Sequence, residues 1–197
     1  IGTSAGSVVA AYLAAGLEPR SRLGSRPAQS PSPLTVAEAN PSPLRRAFSA
    51  GAGLVSSRAG GPLVSVMSST AGGGELLRRV ALGRIPAGRR SLDELGDAVK
   101  RTGVDWDGRL RVVALELETG RRVVFGAPGA PQLSVATAVK ASCAIPGVFR
   151  PIRASNRTYI DGGAWSPTNI DVAEVAPGDH VLCLNPTGSL RPTIAVP

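Results

Sequence analysis

The chain has 197 residues, of which 43% are hydrophobic and 18% charged, so it can bury one core and is not a wholly disordered chain. Two cysteines and one histidine exclude a disulfide framework and the Cys- or His-rich kind of zinc site, and we expect no metal. The net charge is +8, but few aromatic residues lie among the arginines, which argues against nucleic-acid binding.

Residues 1–17 carry no charged side chain, yet glycines and hydroxyl residues interrupt them, and the run is too short for a membrane span. No basic segment precedes them, as it would in a signal peptide. Because the chain begins at Ile1 rather than at methionine, we expect it to be a piece of a longer protein. The sequence leaves the location open and favours the cytoplasm or the periphery of a membrane.

A helix is predicted from just after Ser4 through Val8–Ala15, since this run is rich in Ala, Val and Leu, and Gly16 follows it as a helix-ending glycine. Residues 18–62 differ sharply, because they are rich in Pro, Gly, Ser and Arg. Such a segment buries little apolar surface, so we predict a flexible insert there. Residues 1–197 are therefore interpreted as one partial domain that this insert interrupts.

The rest of the chain alternates predicted helices with short apolar strands. In chain order, the predictions are helices at Gly74–Leu82 and Ser91–Arg101, a strand hairpin from Leu110 to Phe125, a helix at Ser134–Ser142, and strands at Arg157–Ile160 and His180–Leu184. The second of these helices opens with the Ser-x-x-Glu spacing of a capping box, at Ser91 and Glu94. Helices between short apolar strands indicate a layered α/β fold.

The pentapeptide Gly2-Thr3-Ser4-Ala5-Gly6 has the spacing G-x-S-x-G and directly precedes the first helix. A nucleophile on a sharp strand-to-helix turn has strained dihedral angles, and small flanking residues let the chain pass close to itself. The free N–H groups at the start of the helix then favour negative charge near the serine. A small-residue turn before a helix would give the same pentapeptide, so the motif alone leaves both interpretations open.

The run Tyr159-Ile160-Asp161-Gly162-Gly163 places a carboxylate at the end of a predicted strand, where open α/β sheets hold their sites. An ordinary Asp-Gly turn is the alternative, and a serine on an upstream elbow favours the functional interpretation. The run Ser142–Phe149 is predicted to form a wall beside the site, with Cys143 as a buried structural thiol. Asn169 is predicted to hydrogen-bond the Asp161 loop as part of the scaffold.

Taken in order, residues 2–7, 142–149 and 161–169 resemble the patatin-like phospholipases, and the likeness covers residues 1–17 and roughly 110–185. The resemblance implies a three-layer α/β/α fold, here incomplete at the N-terminus, and a Ser–Asp dyad without histidine. It implies Ser4 as the nucleophile and Asp161 as its general base, in a lipid acyl hydrolase that works through an acyl-enzyme without calcium or zinc. It also assigns one oxyanion donor and four supporting glycines: the N–H of Ala5, and Gly2, Gly6, Gly162 and Gly163.

The chain departs from the family at its start, because the glycine-rich oxyanion loop of the family lies upstream of the elbow and nothing precedes Ile1 here. Loss of one oxyanion donor costs on the order of 10²–10³ in kcat, so we expect the 197 residues alone to be weak or inactive. The upstream strand that should lead into the elbow is represented by Ile1 alone.

The sequence also leaves other functions open. A triad of Ser4, Asp161 and His180 would satisfy the chain order of ordinary α/β-hydrolases, although His180 is predicted to begin a strand. The Arg-rich segment 18–62 could instead bind anionic membranes or a protein partner in a non-catalytic module. An acyl-enzyme can also pass its acyl group to an acceptor other than water, so the sequence does not separate a hydrolase from an acyltransferase.

Overall fold

The structure is a computed structural model that describes residues 1–17, 80 and 82–185. Within these residues one sheet contains β1 (Gly2–Thr3), β2 (Val112–Glu116), β3 (Arg122–Phe125), β4 (Ile152–Ala154) and β5 (Arg157–Asp161). The helices with described bounds are α1 (Ala5–Ala14), α2 (Asp93–Lys100) and α3 (Val135–Ser142), with 3₁₀ turns at Gly162–Ala164 and Ile170–Val172. Val80 and Leu82 are also helical. The predicted α/β class is confirmed. The predicted insert at 18–62 and nearly all of the predicted helix Gly74–Leu82 lie outside the described residues.

Strand β2 is the centre of the sheet, and its five residues are all buried. Its run of apolar residues is what a strand covered on both faces requires. Strand β3 pairs antiparallel with Val112–Leu115 along one edge, which confirms the predicted hairpin. Strands β1 and β5 share the other edge of β2, and β4 pairs with the outer side of β5.

The two strands that share an edge of β2 meet end to end. Strand β1 runs parallel to β2 and ends with Thr3 opposite Val113. Strand β5 runs antiparallel to β2 and ends with Asp161 opposite Ala114. Because Val113 and Ala114 are consecutive, the register brings the ends of β1 and β5 together beside the middle of β2.

The sheet is covered by apolar side chains on both faces. On one face, α1, α2 and α3 contribute to a single core with the strands, and its members include Val8, Tyr12, Leu95, Val99, Val139, Phe125 and Tyr159. On the other face, Leu115 and Ile160 pack against Ala164 and against Leu82, which is helical. Helical residues therefore lie on both faces, as the predicted three-layer fold requires. Burying each large side chain contributes roughly 1.5–3 kcal/mol.

The ends of two helices follow the local sequence closely. At the end of α1, Gly16 has φ +70° and its N–H donates to Leu13 O, while the N–H of Leu17 donates to Tyr12 O. This pair of bonds is a Schellman motif, which confirms the predicted role of Gly16. At the start of α3, the side chain of Ser134 accepts a hydrogen bond from the Thr137 N–H.

The predicted capping box at Ser91 and Glu94 is wrong. The N-cap residue of α2 is Leu92, which provides no side-chain hydrogen bond to the helix. The Ser91 hydroxyl instead accepts from the N–H of Asp93, two residues on, and donates to its carboxylate. Serine makes this local turn readily, and here the turn outcompetes the capping geometry. Asp93 then lies in the first turn of α2 and pairs with Lys140 of α3.

The predicted strand at His180–Leu184 is also wrong. These residues have no regular secondary structure and are exposed, with Leu182 at 82%. A strand exists only through its ladder of hydrogen bonds, and no described strand pairs with this apolar run. The sequence does not predict strand β4, because its three residues are too few to show an alternating pattern.

Candidate active site

Ser4 lies on the sharp turn between β1 and α1, with φ 51° and ψ −127°. A non-glycine residue with positive φ is strained, and such strain is held only where the surroundings fix it. Gly2 makes the turn possible, because a Cβ there would overlap Ser7 Cα and the carbonyl oxygen of Gly6. Gly6, the other predicted supporting glycine of the elbow, is exposed, and outside its own helix backbone a Cβ on it would meet nothing within 4 Å.

Both backbone polar groups of Ser4, its N–H and its carbonyl oxygen, are hydrogen-bonded. Its N–H donates to Ser142 Oγ at 2.9 Å, and that hydroxyl donates to Val113 O at 2.6 Å. Its carbonyl oxygen accepts from Ser7 Oγ at 2.6 Å and from Cys143 Sγ at 3.2 Å. The Ser4 side chain makes no capping hydrogen bond to α1. The turn is therefore fixed by its main chain, and its hydroxyl is left available.

Asp161 ends β5 and is only 2% exposed. Its Oδ1 accepts the N–H of Gly163 at 2.7 Å, and its Oδ2 has no hydrogen-bond partner among the described residues. Burial raises the pKa of Asp161 to about 6, while hydrogen bonding by the Ser4 side chain and the Gly163 N–H opposes part of that rise. A buried carboxyl with one free oxygen and a pKa near neutrality is suited to take up a proton.

The register of the sheet explains why Ser4 and Asp161 are neighbours. Each residue stands at the end of a strand, and the two strands end against consecutive residues of β2. Gly162 allows the close approach, because a Cβ there would overlap the Val113 carbonyl. The Ser4 side chain is near enough to favour the charged form of Asp161, although no hydrogen bond of standard geometry joins the two. Such pairs often tighten only when substrate is bound.

Asn169 cross-links the two loops that carry Ser4 and Asp161. It is fully buried, with left-handed backbone angles of φ 48° and ψ 34°. Its Nδ2 donates to Thr3 Oγ1 at 3.1 Å, to Gly162 O at 3.3 Å and to Ser166 O at 2.8 Å. The predicted hydrogen bond from Asn169 to the Asp161 loop is confirmed.

The other candidate residues are Ala5, Cys143 and His180, and they differ in their position relative to Ser4 and Asp161. Ala5 is the first residue of α1, so its N–H has no acceptor within the helix. Cys143 is buried beneath the elbow, and burial followed by the nearby Asp161 charge raises the pKa of its thiol well above the usual range, as expected of a structural cysteine. His180 is exposed on an irregular segment, and no hydrogen bond joins it to Asp161 or Ser4.

Residues 1–17, 80 and 82–185 contain neither a membrane-spanning helix nor a cluster of metal-binding side chains. None of the helices there has the length and apolar character needed to cross a bilayer. In the same part of the chain, no three His, Cys, Asp or Glu side chains are grouped so that they could hold a metal ion.

Comparison with known proteins identifies the family of this chain. The model of the family described as patatin-like phospholipase matches residues 1–174. The probable lipid hydrolase 463L of Invertebrate iridescent virus 6 is 34% identical over 64 residues, which cover 32% of this chain and 22% of the viral protein. The match thus spans about a fifth of that relative, and no solved structure matches the chain significantly. Since the family model covers most of the sequence, the chain belongs to the patatin-like phospholipase family.

Proposed function

We propose that this chain is the catalytic part of a lipid acyl hydrolase in which Ser4 is the nucleophile and Asp161 the general base. The observation that carries the proposal is the buried Asp161 carboxyl, with its free Oδ2, beside a serine on a strained elbow. The family and the lipid hydrolase relative support hydrolysis of a lipid or another acyl ester. The net charge of +8 would favour substrate in an anionic membrane surface.

The geometry suggests how the reaction proceeds. Asp161 accepts the proton of Ser4 Oγ as this oxygen attacks the ester carbonyl carbon. The negative charge that forms on the carbonyl oxygen faces the start of α1, where the Ala5 N–H can donate to it. Asp161 returns the proton to the leaving alcohol as the ester bond breaks. It then takes a proton from the water that attacks the acyl carbon, and passes this proton to Ser4 Oγ as the bond to the acyl group breaks and the fatty acid leaves. An alcohol acceptor in place of water would give an acyltransferase.

A fluorophosphonate tests the nucleophile directly. Ser4 Oγ should attack the phosphorus and displace fluoride, which leaves one phosphonyl group on each chain. We expect intact mass spectrometry of the full-length protein to show one adduct, and peptide mapping to place it on Ser4. The Ser4→Ala variant should remain unlabelled. Labelling of another residue, or of the variant at the same rate, would refute the proposed nucleophile.

Activity should depend on pH through Asp161. The base must be charged to accept a proton, and its pKa is raised to about 6 by burial. We therefore expect kcat/KM on a neutral soluble ester to be constant above about pH 7 and to fall about tenfold for each pH unit below about 6. An acid limb near pH 4 would show that the essential base is an ordinary exposed carboxyl rather than Asp161.

The 197 residues alone should be much less active than the full-length protein. The elbow supplies the Ala5 N–H, and we propose that its partner donors come from sequence preceding Ile1. Loss of one donor costs on the order of 10²–10³ in kcat, which sets the expected difference. Assay of both chains on the same nitrophenyl ester measures it, with melting temperatures to confirm that each is folded. Equal kcat values would contradict this prediction.

A further inference from the structure

A chain of polar contacts links β3 to the candidate site. Arg122, on β3, donates from Nη1 to Asn169 Oδ1 at 3.2 Å and to Asp171 Oδ1 at 2.8 Å, and its Nη2 lies 2.7 Å from Asp171 Oδ2. The guanidinium carbon is 5.2 Å from the centre of the Trp165 ring, and the Arg122 side chain is only 18% exposed. The fork of Arg122 is thus held by a carboxylate and an aromatic face while it contacts Asn169.

These contacts fix which way the Asn169 amide faces. Its Oδ1 meets a donor on Arg122, and its Nδ2 meets the acceptors on Thr3, Gly162 and Ser166. A reversed amide would set oxygen against two carbonyl oxygens and nitrogen against a guanidinium. In a fully buried position neither mismatch could be relieved by water. Arg122 therefore selects the one orientation in which the amide bridges the two loops.

Asn169 bridges the ends of β1 and β5 at a point where the sheet provides no hydrogen bond between these two strands. Strands β1 and β5 both pair with β2 and not with each other, so their ends are held together by what spans them. Asn169 does this directly, because Thr3 immediately precedes Ser4 and Gly162 immediately follows Asp161. A misplacement of about 1 Å between reacting groups can cost about 10²-fold in rate.

We propose that Asn169, oriented by Arg122, is a positioning residue that holds the Asp161 turn against the Ser4 elbow. The inference rests on the proposed Ser4–Asp161 chemistry. Neither residue contacts the reacting atoms in this assignment. Both act by fixing the distance between the hydroxyl and the carboxyl.

The test is steady-state kinetics of the full-length protein on a soluble nitrophenyl ester. Asn169→Ala should lower kcat by about 10²-fold and change KM by less than about threefold, because geometry is lost but substrate contacts remain. Arg122→Met should lower kcat by about tenfold. Arg122→Lys keeps the charge but not the forked guanidinium, so its kcat should lie between those of Arg122→Met and the parent protein. The double variant Arg122→Met/Asn169→Ala should match Asn169→Ala alone, since Arg122 acts through Asn169.

Arg157→Met is the matched control. Arg157 also lies in the sheet and pairs with a buried carboxylate, Glu116, at the end of β5 away from Asp161. It should lower the melting temperature and leave kcat within about twofold. If the losses reflected a general loss of packing, Arg157→Met would lower kcat as well. If the effects of the two substitutions multiplied in the double variant, Arg122 would not act through Asn169. Either result overturns the proposal.

Two further arms separate this inference from the proposed function. If Ser4→Ala is inactive while Asn169→Ala keeps kcat within twofold of the parent, the positioning role is refuted and the dyad survives. If Ser4→Ala keeps its activity, the dyad is refuted and the positioning role with it. Should Asn169→Ala fail to fold, the graded loss of kcat expected for Arg122→Met and Arg122→Lys decides the question.

Discussion

Replacing Ser4 with alanine is expected to lower kcat by about 10⁴-fold or more, because no other group can form the acyl-enzyme. The Ser4 backbone is fixed by Ser142, Ser7 and Cys143, so the turn should keep its shape without the hydroxyl. The measurement is kcat on a short-chain nitrophenyl ester with the full-length protein. Ser91→Ala, which alters an exposed serine before α2, should have no effect.

A second variant separates catalysis from backbone strain. Glycine tolerates the positive φ of 51° at position 4, so the free energy of unfolding of Ser4→Gly should exceed that of Ser4→Ala by about 1 kcal/mol. Both variants should be equally inactive, and urea unfolding measures the difference in stability. If Ser4→Ala kept more than about a tenth of the parent kcat, water rather than an enzyme nucleophile would attack the ester, and the acyl-enzyme mechanism would be wrong.

Replacing Asp161 with asparagine is expected to lower kcat by roughly 10³–10⁴-fold, since an amide cannot take the proton of Ser4. The amide oxygen can still accept the Gly163 N–H, so the turn should be preserved. His180→Gln is the control, because His180 is exposed and bonded to neither partner. Comparable losses in the two variants would point to a triad that includes His180 instead of the dyad.

The same Asp161 variant should show a pH-dependent gain in stability. The folded pKa of Asp161 is raised to about 6 from 3.8, so the folded state binds the proton more tightly than the unfolded chain does. The tighter proton binding stabilises the folded state by about 3 kcal/mol. This stabilisation is fully present below about pH 4 and is lost as the pH rises through 6. Urea unfolding at pH 4 and pH 8 should therefore show the free energy of unfolding of Asp161→Asn rising relative to the parent. A difference that does not change with pH would contradict the buried charge.

The elbow and the Asp161 turn could be predicted because each depends on small residues at adjacent positions. Gly2 and Gly162 are required by close backbone contacts, and such requirements are written in short motifs. Gly6 shows the limit of this reasoning, since the motif includes it although no described atom crowds it.

Arg122 could not be found in this way. Its contacts join residues 47 and 49 positions apart, and they depend on how β3 pairs with β2. A single exposed-looking arginine in a basic chain carries no local sign of that role. The errors at Ser91 and at His180–Leu184 have a related origin, because a cap competes with other local turns and a strand needs a partner elsewhere in the chain.

The end-to-end meeting of β1 and β5 has a consequence for how such a domain can vary in evolution. Ser4 and Asp161 are brought to neighbouring positions by two consecutive residues of β2, with Asn169 bridging their loops, and not by the 157 positions that separate the pair in the sequence. Insertions and deletions in the connecting segments therefore leave the spacing unchanged. One residue added within β2 would move the two groups apart by about 3.4 Å and turn one of them to the opposite face.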